Sequence, residues 1–209
     1  MSFILNTYNR KKIAFTKGKG AFLYGTNGKK YLDFVQGIAV NCLGHANNYL
    51  INSISKQARK LWHVSNVFII PEQERLAKRI TQKTFADYVF FQNSGAEATE
   101  AAIKFARRYF YSKGQSKKNR VLCINNSFHG RTLATIFASN SKKAIEGFGP
   151  KVDGFDHFNF GDHKGLEKAI TSRTAAIMVE TIMGEGGIKV IPDYCLVGLR
   201  KLCNKKNIL

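Results

Sequence analysis

Hydrophobic and polar positions alternate with period two in "GAFLYGTNGKKYLDF" (20–34), on both sides of Thr26-Asn27-Gly28. Asn-Gly accepts positive φ at low cost, so the pattern predicts a β-hairpin. The period then lengthens. Leu50, Ile54, Ala58 and Leu61 have helical spacing. Pro71 opens a second helix, with Glu72 and Glu74 in its first turn and Leu76 and Ile80 on one face. From there short apolar runs alternate with helical segments. "YVFF" (88–91) reads as a buried strand, and the helix after it places Ala98, Ala102, Phe105 and Tyr109 on one stripe. "VLCI" (121–124) and "AAIMVE" (175–180) read as further strands. Pro192 to about Lys205 reads as a helix with Leu199 and Leu202 inward, and "NIL" (207–209) as the start of another strand. This order predicts an α/β fold with a mostly parallel sheet covered on both faces.

In such sheets ligands bind beyond the carboxyl ends of the strands. Two junctions lie there: Asn93-Ser94-Gly95, after the first run, and "NNSFHGRT" (125–132), after the second. Ser94 and Glu97 form a capping-box pattern, in which the hydroxyl bonds the Glu97 N–H and the carboxylate reaches back to the Ser94 N–H. The same helix start offers free N–H groups and partial positive charge to an anion, and Gly95 permits close approach. Cap and anion site are both compatible with these residues.

Composition changes this picture little. The 209 residues are 44% hydrophobic and 22% charged, as expected of a globular protein with a sizeable core. No stretch has the length of a membrane span, and "MSFILNTYNRKK" is too short in apolar residues for a secretory signal, so the expected location is cytoplasmic. Cys42, Cys123, Cys195 and Cys203 show no CxxC or His spacing for a metal, and their apolar settings predict buried free thiols. The formal charge of +19 points toward polyanions. The lysines come as scattered pairs, however, and the densest patch, "KGQSKKNR" (113–120), lacks interleaved aromatics. A basic nucleic-acid-binding module remains an alternative, and the expectation is no nucleic-acid partner.

Five segments in order are more specific: "YLDFVQGIAVNCLGH" (31–45), "LWHVSNVF" (61–68), "FQNSGAEATEAAIKFAR" (91–107), "SFHGRTLAT" (127–135) and "VETIMGEGG" (179–187). Together they resemble the class III aminotransferases, pyridoxal-phosphate enzymes of fold type I, and within them the acetylornithine aminotransferases. The resemblance implies an incomplete three-layer cofactor-binding domain over 56–209 and a small-domain segment over 1–55. It implies pyridoxal 5'-phosphate as cofactor, with its phosphate on Ser94, Gly95 and Ala96, Phe128 stacked on its ring and Glu180 at the ring edge. Arg131 would hold the substrate α-carboxylate, for which a planar bidentate donor suits. Glu185 resembles the glutamate that pairs with an arginine further along in relatives. His129 reads as a structural hydrogen-bonding histidine.

The implied reaction is amino transfer from N-acetylornithine to 2-oxoglutarate in arginine biosynthesis by a homodimer. Ornithine, succinylornithine and 4-aminobutyrate aminotransferases are the alternatives. The sequence departs from the family at Thr181 and Met183, where Pro and Gln are usual, and at Asn47-Asn48, where His-Pro is usual. Ile38 stands where ornithine aminotransferases tend to carry tyrosine. No lysine here lies in the family's Schiff-base motif. The expectation is therefore a catalytic set of none in this chain, which would be the front part of a longer enzyme and inactive alone.

Overall fold

The computed structural model describes residues 3–209. They divide into two compact units, one up to Thr84 and one from Phe85 to Leu209.

The first unit opens with a three-stranded antiparallel sheet, β1 (Phe15–Lys19), β2 (Phe22–Gly25) and β3 (Lys30–Leu32), in that spatial order. The expected hairpin is β2–β3, turning at Gly28 with φ +72°. β1 was not anticipated. After β3 comes one left-handed turn, α1 (Gln36–Ala39), whose φ values are 51°, 66°, 60° and 61°. A β-branched residue is rare in this region, so Ile38 is conformationally strained. The Asp33 carboxylate organises the turn's entrance. It accepts from the Gln36 and Val35 N–H groups and from His45 Nε2 at 2.7 Å, and these bonds hold its pKa below the usual carboxylate value. The two predicted helices follow as α2 (Asn48–Ala58), capped by the Asn47 side chain, and α3 (Pro71–Thr81), with proline in its first turn.

In the second unit, α4 (Gly95–Ser112) leads to the parallel strand β4 (Arg120–Ile124). α5 (Leu133–Ser139) and α6 (Lys142–Ile145) connect it to β5 (Phe155–Phe158), and α7 (His163–Ala169) connects β5 to β6 (Thr174–Met178). The short hairpin β7 (Ile182–Met183) and β8 (Lys189–Val190) precedes α8 (Asp193–Lys206). The spatial order is β5-β4-β6, with both pairings parallel. Leu209 adds to the far side of β6, donating to the Ala175 carbonyl at 2.9 Å and accepting from Ile177 N–H at 3.0 Å. The expected strand start at "NIL" is therefore present. The chain leaves β4 toward β5 and leaves β6 toward the opposite edge, so the connections diverge between β4 and β6. In open α/β sheets, a crevice outside the strands' carboxyl ends is the usual ligand site at such a divergence.

Ile103 and Ala106 of α4, Val121 and Cys123 of β4, Ile136–Ala138 of α5, Phe155 and Ala176 form one buried cluster. At the amino end of β4, Arg120 forks onto both Asp156 carboxylate oxygens at 2.8 and 2.9 Å and onto Asp153 at 2.9 Å. This network pins β4 to β5 at the end away from the crevice.

Three expectations are corrected. Residues 88–91 have no ladder partner among the described residues, and Tyr88 and Phe90 are exposed, so an apolar run there does not make a buried strand. On α4 the buried stripe is Ile103, Ala106 and Phe110, while Ala98, Ala102, Phe105 and Tyr109 face outward. The helix is apolar on adjacent faces, and contact with the sheet decides between them. Of the four thiols, Cys123 and Cys203 are buried, Cys195 is half-buried and Cys42 is exposed. All are free, and burial pushes the Cys123 pKa up to about 12, which leaves it an inert core residue.

Candidate active site

Ser94 has extended backbone angles and caps α4, its Oγ accepting from Glu97 N–H at 3.2 Å. The Glu97 carboxylate does not reach back to the Ser94 amide as the capping-box pattern predicts. It meets the Ser94 hydroxyl at 3.2 Å and the Asn93 amide at 3.3 Å. The first intrahelical acceptor, the Ser94 carbonyl, is taken by Ala98 N–H. The Gly95 and Ala96 N–H groups meet no acceptor among the described residues and point along the positive end of an 18-residue helix. A Cβ built on Gly95 would have nothing within 4 Å, so this helix start is open.

The segment after β4 folds back onto this start. Ser127 Oγ donates to the Ile124 carbonyl at 2.8 Å, and His129 N–H donates to Ser139 Oγ at 3.1 Å. Gly130 has φ +130°, and a Cβ there would lie 2.8 Å from Thr135 Oγ1 and 2.9 Å from Ala96 Cβ. Only glycine lets the loop approach α4 this closely. Thr132 starts α5 in a reciprocal cap with Thr135, and its hydroxyl also donates to Glu100 Oε1 at 2.5 Å. Phe128, still 42% exposed, donates its N–H to Glu180 Oε2 at 2.8 Å. That bond spans the crevice from the end of β4 to the end of β6.

The structure thus brings together Ser94, Gly95, Ala96, Phe128 and Glu180, with Arg131 on the exposed side of the turn after Gly130. Glu185 is exposed on the β7–β8 connection. Its neighbour Gly186 runs close to the Asn126 carbonyl, 3.2 Å from where a Cβ would stand. The His129 ring is buried, its Nε2 has no hydrogen-bond partner among the described residues, and its main-chain N–H holds the loop to Ser139 Oγ. Burial, with nearby His157, pushes its pKa down to about 4. Sequence reasoning missed Glu100, Thr132, Thr135 and Ser139. The T-x-x-T spacing of Thr132 and Thr135 was a legible helix start, but no local pattern links Thr132 to Glu100, 32 residues away.

The arrangement suits a ligand with an anionic end on the α4 start and a planar body beside Phe128. Residues 5–209 match the family model described as aminotransferase class-III. The acetylornithine aminotransferase of Agrobacterium fabrum is 52% identical over 206 residues, 99% of this chain and 52% of the relative. That of Mesorhizobium japonicum is 51% identical, over 100% of this chain and 52% of its own length. The chain spans about half the length of the curated relatives it matches. The crystal structure of an ornithine aminotransferase from Toxoplasma gondii ME49 superposes with a TM-score of 0.92 at 30% identity, covering 99% of this chain and 50% of that one. The fold is that of the fold type I aminotransferases. By family match, by relatives and by fold, the chain belongs to the class-III aminotransferases.

Proposed function

We propose that these residues supply the cofactor-phosphate and substrate-carboxylate half of a pyridoxal-phosphate enzyme that moves the δ-amino group of N-acetylornithine to 2-oxoglutarate, as a cytoplasmic homodimer. The observation that carries this reading is the identity of about half of all positions, over nearly the whole chain, to relatives named acetylornithine aminotransferase. Class III aminotransferases use pyridoxal phosphate. The residues present fit that group. The Gly95 and Ala96 amides are open to a phosphate, and the space a Gly95 side chain would fill is clear.

In this reading Gly95 and Ala96 hold the phosphate and the Ser94 cap keeps their helix start in place. Phe128 covers the ring, and Glu180, anchored on the Phe128 N–H, sits at its edge. When bound, the cofactor supplies the electron sink for bond breaking at the amino-bearing carbon. Arg131 orients the substrate by a bidentate grip on its α-carboxylate. Glu185 serves the second, exchangeable charge of the two substrates. Among the described residues no lysine joins the contacts linking 94–100, 127–132 and Glu180. In this reading the proton-shuttling amine comes from outside this set, and the 209 residues alone are expected to be inactive.

The test is a chimera joining residues 1–209 to the part of the Agrobacterium fabrum relative that lies beyond its match. Acetylornithine-dependent formation of glutamate from 2-oxoglutarate is expected, with none from the 209 residues alone. A chimera that takes up the cofactor but makes no glutamate from acetylornithine would overturn the substrate assignment. In the same chimera Arg131→Lys keeps the charge and loses the fork, so kcat/KM should fall roughly ten- to a hundredfold with cofactor affinity little changed.

A further inference from the structure

Two observations outside the assigned site residues concern the same loop. The Thr132 hydroxyl donates to Glu100 Oε1 at 2.5 Å across 32 residues of sequence. Two positions earlier, Gly130 lies against Ala96 so closely that a Cβ would overlap it. Glu100 stands one helical turn beyond Ala96 on α4. The loop that presents Phe128 and Arg131 therefore touches α4 twice, once by packing and once by a carboxylate. On its other side the loop is bonded to Ser139 and Glu180. Packing at a glycine fixes distance but resists sliding weakly, whereas a hydrogen bond is directional.

We propose that Glu100 is a positioning residue, whose carboxylate fastens the 128–132 turn to the first turns of α4 and so fixes the spacing between the phosphate cradle and the Phe128 ring. Glu100 touches neither ligand in this scheme. It acts through Thr132. The inference rests on the cofactor reading for its purpose, but the fastening itself is a property of these residues alone.

The side chain can be removed without attacking the helix, since alanine has the highest helix propensity and Glu100 lies within α4. Glu100→Gln retains an acceptor oxygen for Thr132. Two readouts on the full 209-residue chain separate the possibilities. The first is amide hydrogen exchange. In Glu100→Ala the amides of 128–132 should exchange roughly two- to tenfold faster, the span of one net hydrogen bond, while those of 103–110 keep their wild-type rates. Glu100→Gln should return the loop to near wild-type protection.

The second readout is affinity for pyridoxamine 5'-phosphate beside affinity for inorganic phosphate. The larger probe spans cradle and ring, so Glu100→Ala should weaken it by a similar two- to tenfold factor. Phosphate uses the cradle alone and should bind as in wild type. Unchanged loop exchange in Glu100→Ala, or a Gln variant as impaired as the Ala variant, overturns the proposal. So does equal loss of both probes, which would mean collapse of the cradle. Wild-type chain that binds neither probe would count against the cofactor reading, and the exchange arm would still decide the fastening.

Discussion

His129 is a base buried without a partner at its Nε2, next to the residue expected to cover a cofactor ring. Its pKa is pushed down to about 4 from an ordinary 6.5. The unfolded chain therefore binds a proton below about pH 6.5 that the folded chain refuses until about pH 4. Stability is complete above the upper value and is lost as pH falls through that window, by an amount on the order of 3 kcal/mol at the bottom. His157, whose pKa is also lowered by burial, adds loss of the same sign. Replacing His129 by Gln should flatten the fall in melting temperature between pH 6.5 and 4 without abolishing it. A variant with the wild-type slope would show that the ring is not the group being protonated.

At the scale of elements, two glycines in the same cradle have opposite tolerances. Gly130→Ala places a methyl within 3 Å of Thr135 and Ala96 at a φ that L side chains rarely adopt, and should cost about 1–3 kcal/mol. Gly95→Ala adds a methyl into open space at a helix start, and folding stability should hold or rise slightly. Thermal melts of the two variants provide the comparison, and equal losses would mean that the Gly130–Ala96 approach is not as close as described.

Elements also show where sequence reading succeeds and where it stops. α3, α4 and α8 were legible because a proline, a serine cap or a sustained apolar period marked them. The Ser94-Gly95 and 125–132 junctions were legible because each follows an apolar run and begins a turn, whereas Phe128 and Arg131 stood out within the second only through the family resemblance. The inward face of α4 was not, since Phe105 and Tyr109 are as apolar as Ile103 and Phe110, and only the sheet's position selects one stripe. β5, whose Asp156 and His157 interrupt the apolar pattern, was invisible for a similar reason. Its polar groups are satisfied by Arg120 and by the carbonyls of Phe137 and Ala138, which are far away in sequence. Glu100 and Thr132 belong to the same class.

For the whole chain the governing quantity is a formal charge of +19. Self-repulsion of that size opposes compactness and is screened over about 8 Å at physiological ionic strength. Raising salt from a few millimolar to about 0.15 M should therefore raise the melting temperature. A fall would mean that attractive pairs such as Arg120 with Asp153 and Asp156 outweigh the net repulsion. Arg120 lies at the end of β4 away from the crevice, so this sensitivity concerns the scaffold more than the ligand.

The divergence of connections between β4 and β6 has a consequence for which positions can vary without unfolding the protein. The scaffold's buried cluster is confined to α4, α5 and the strands. The proposed substrate-side residues, Arg131 and Glu185, sit on two short segments, 125–132 and 180–188, hung from the strand ends. On the proposed assignment, changes at Arg131 or Glu185 would alter what is gripped without touching the cluster, whereas Gly130, packed on Ala96, and Ser139, bonded to the His129 N–H, should be held fixed. A library confined to those two exposed positions would retain most of its members as folded proteins.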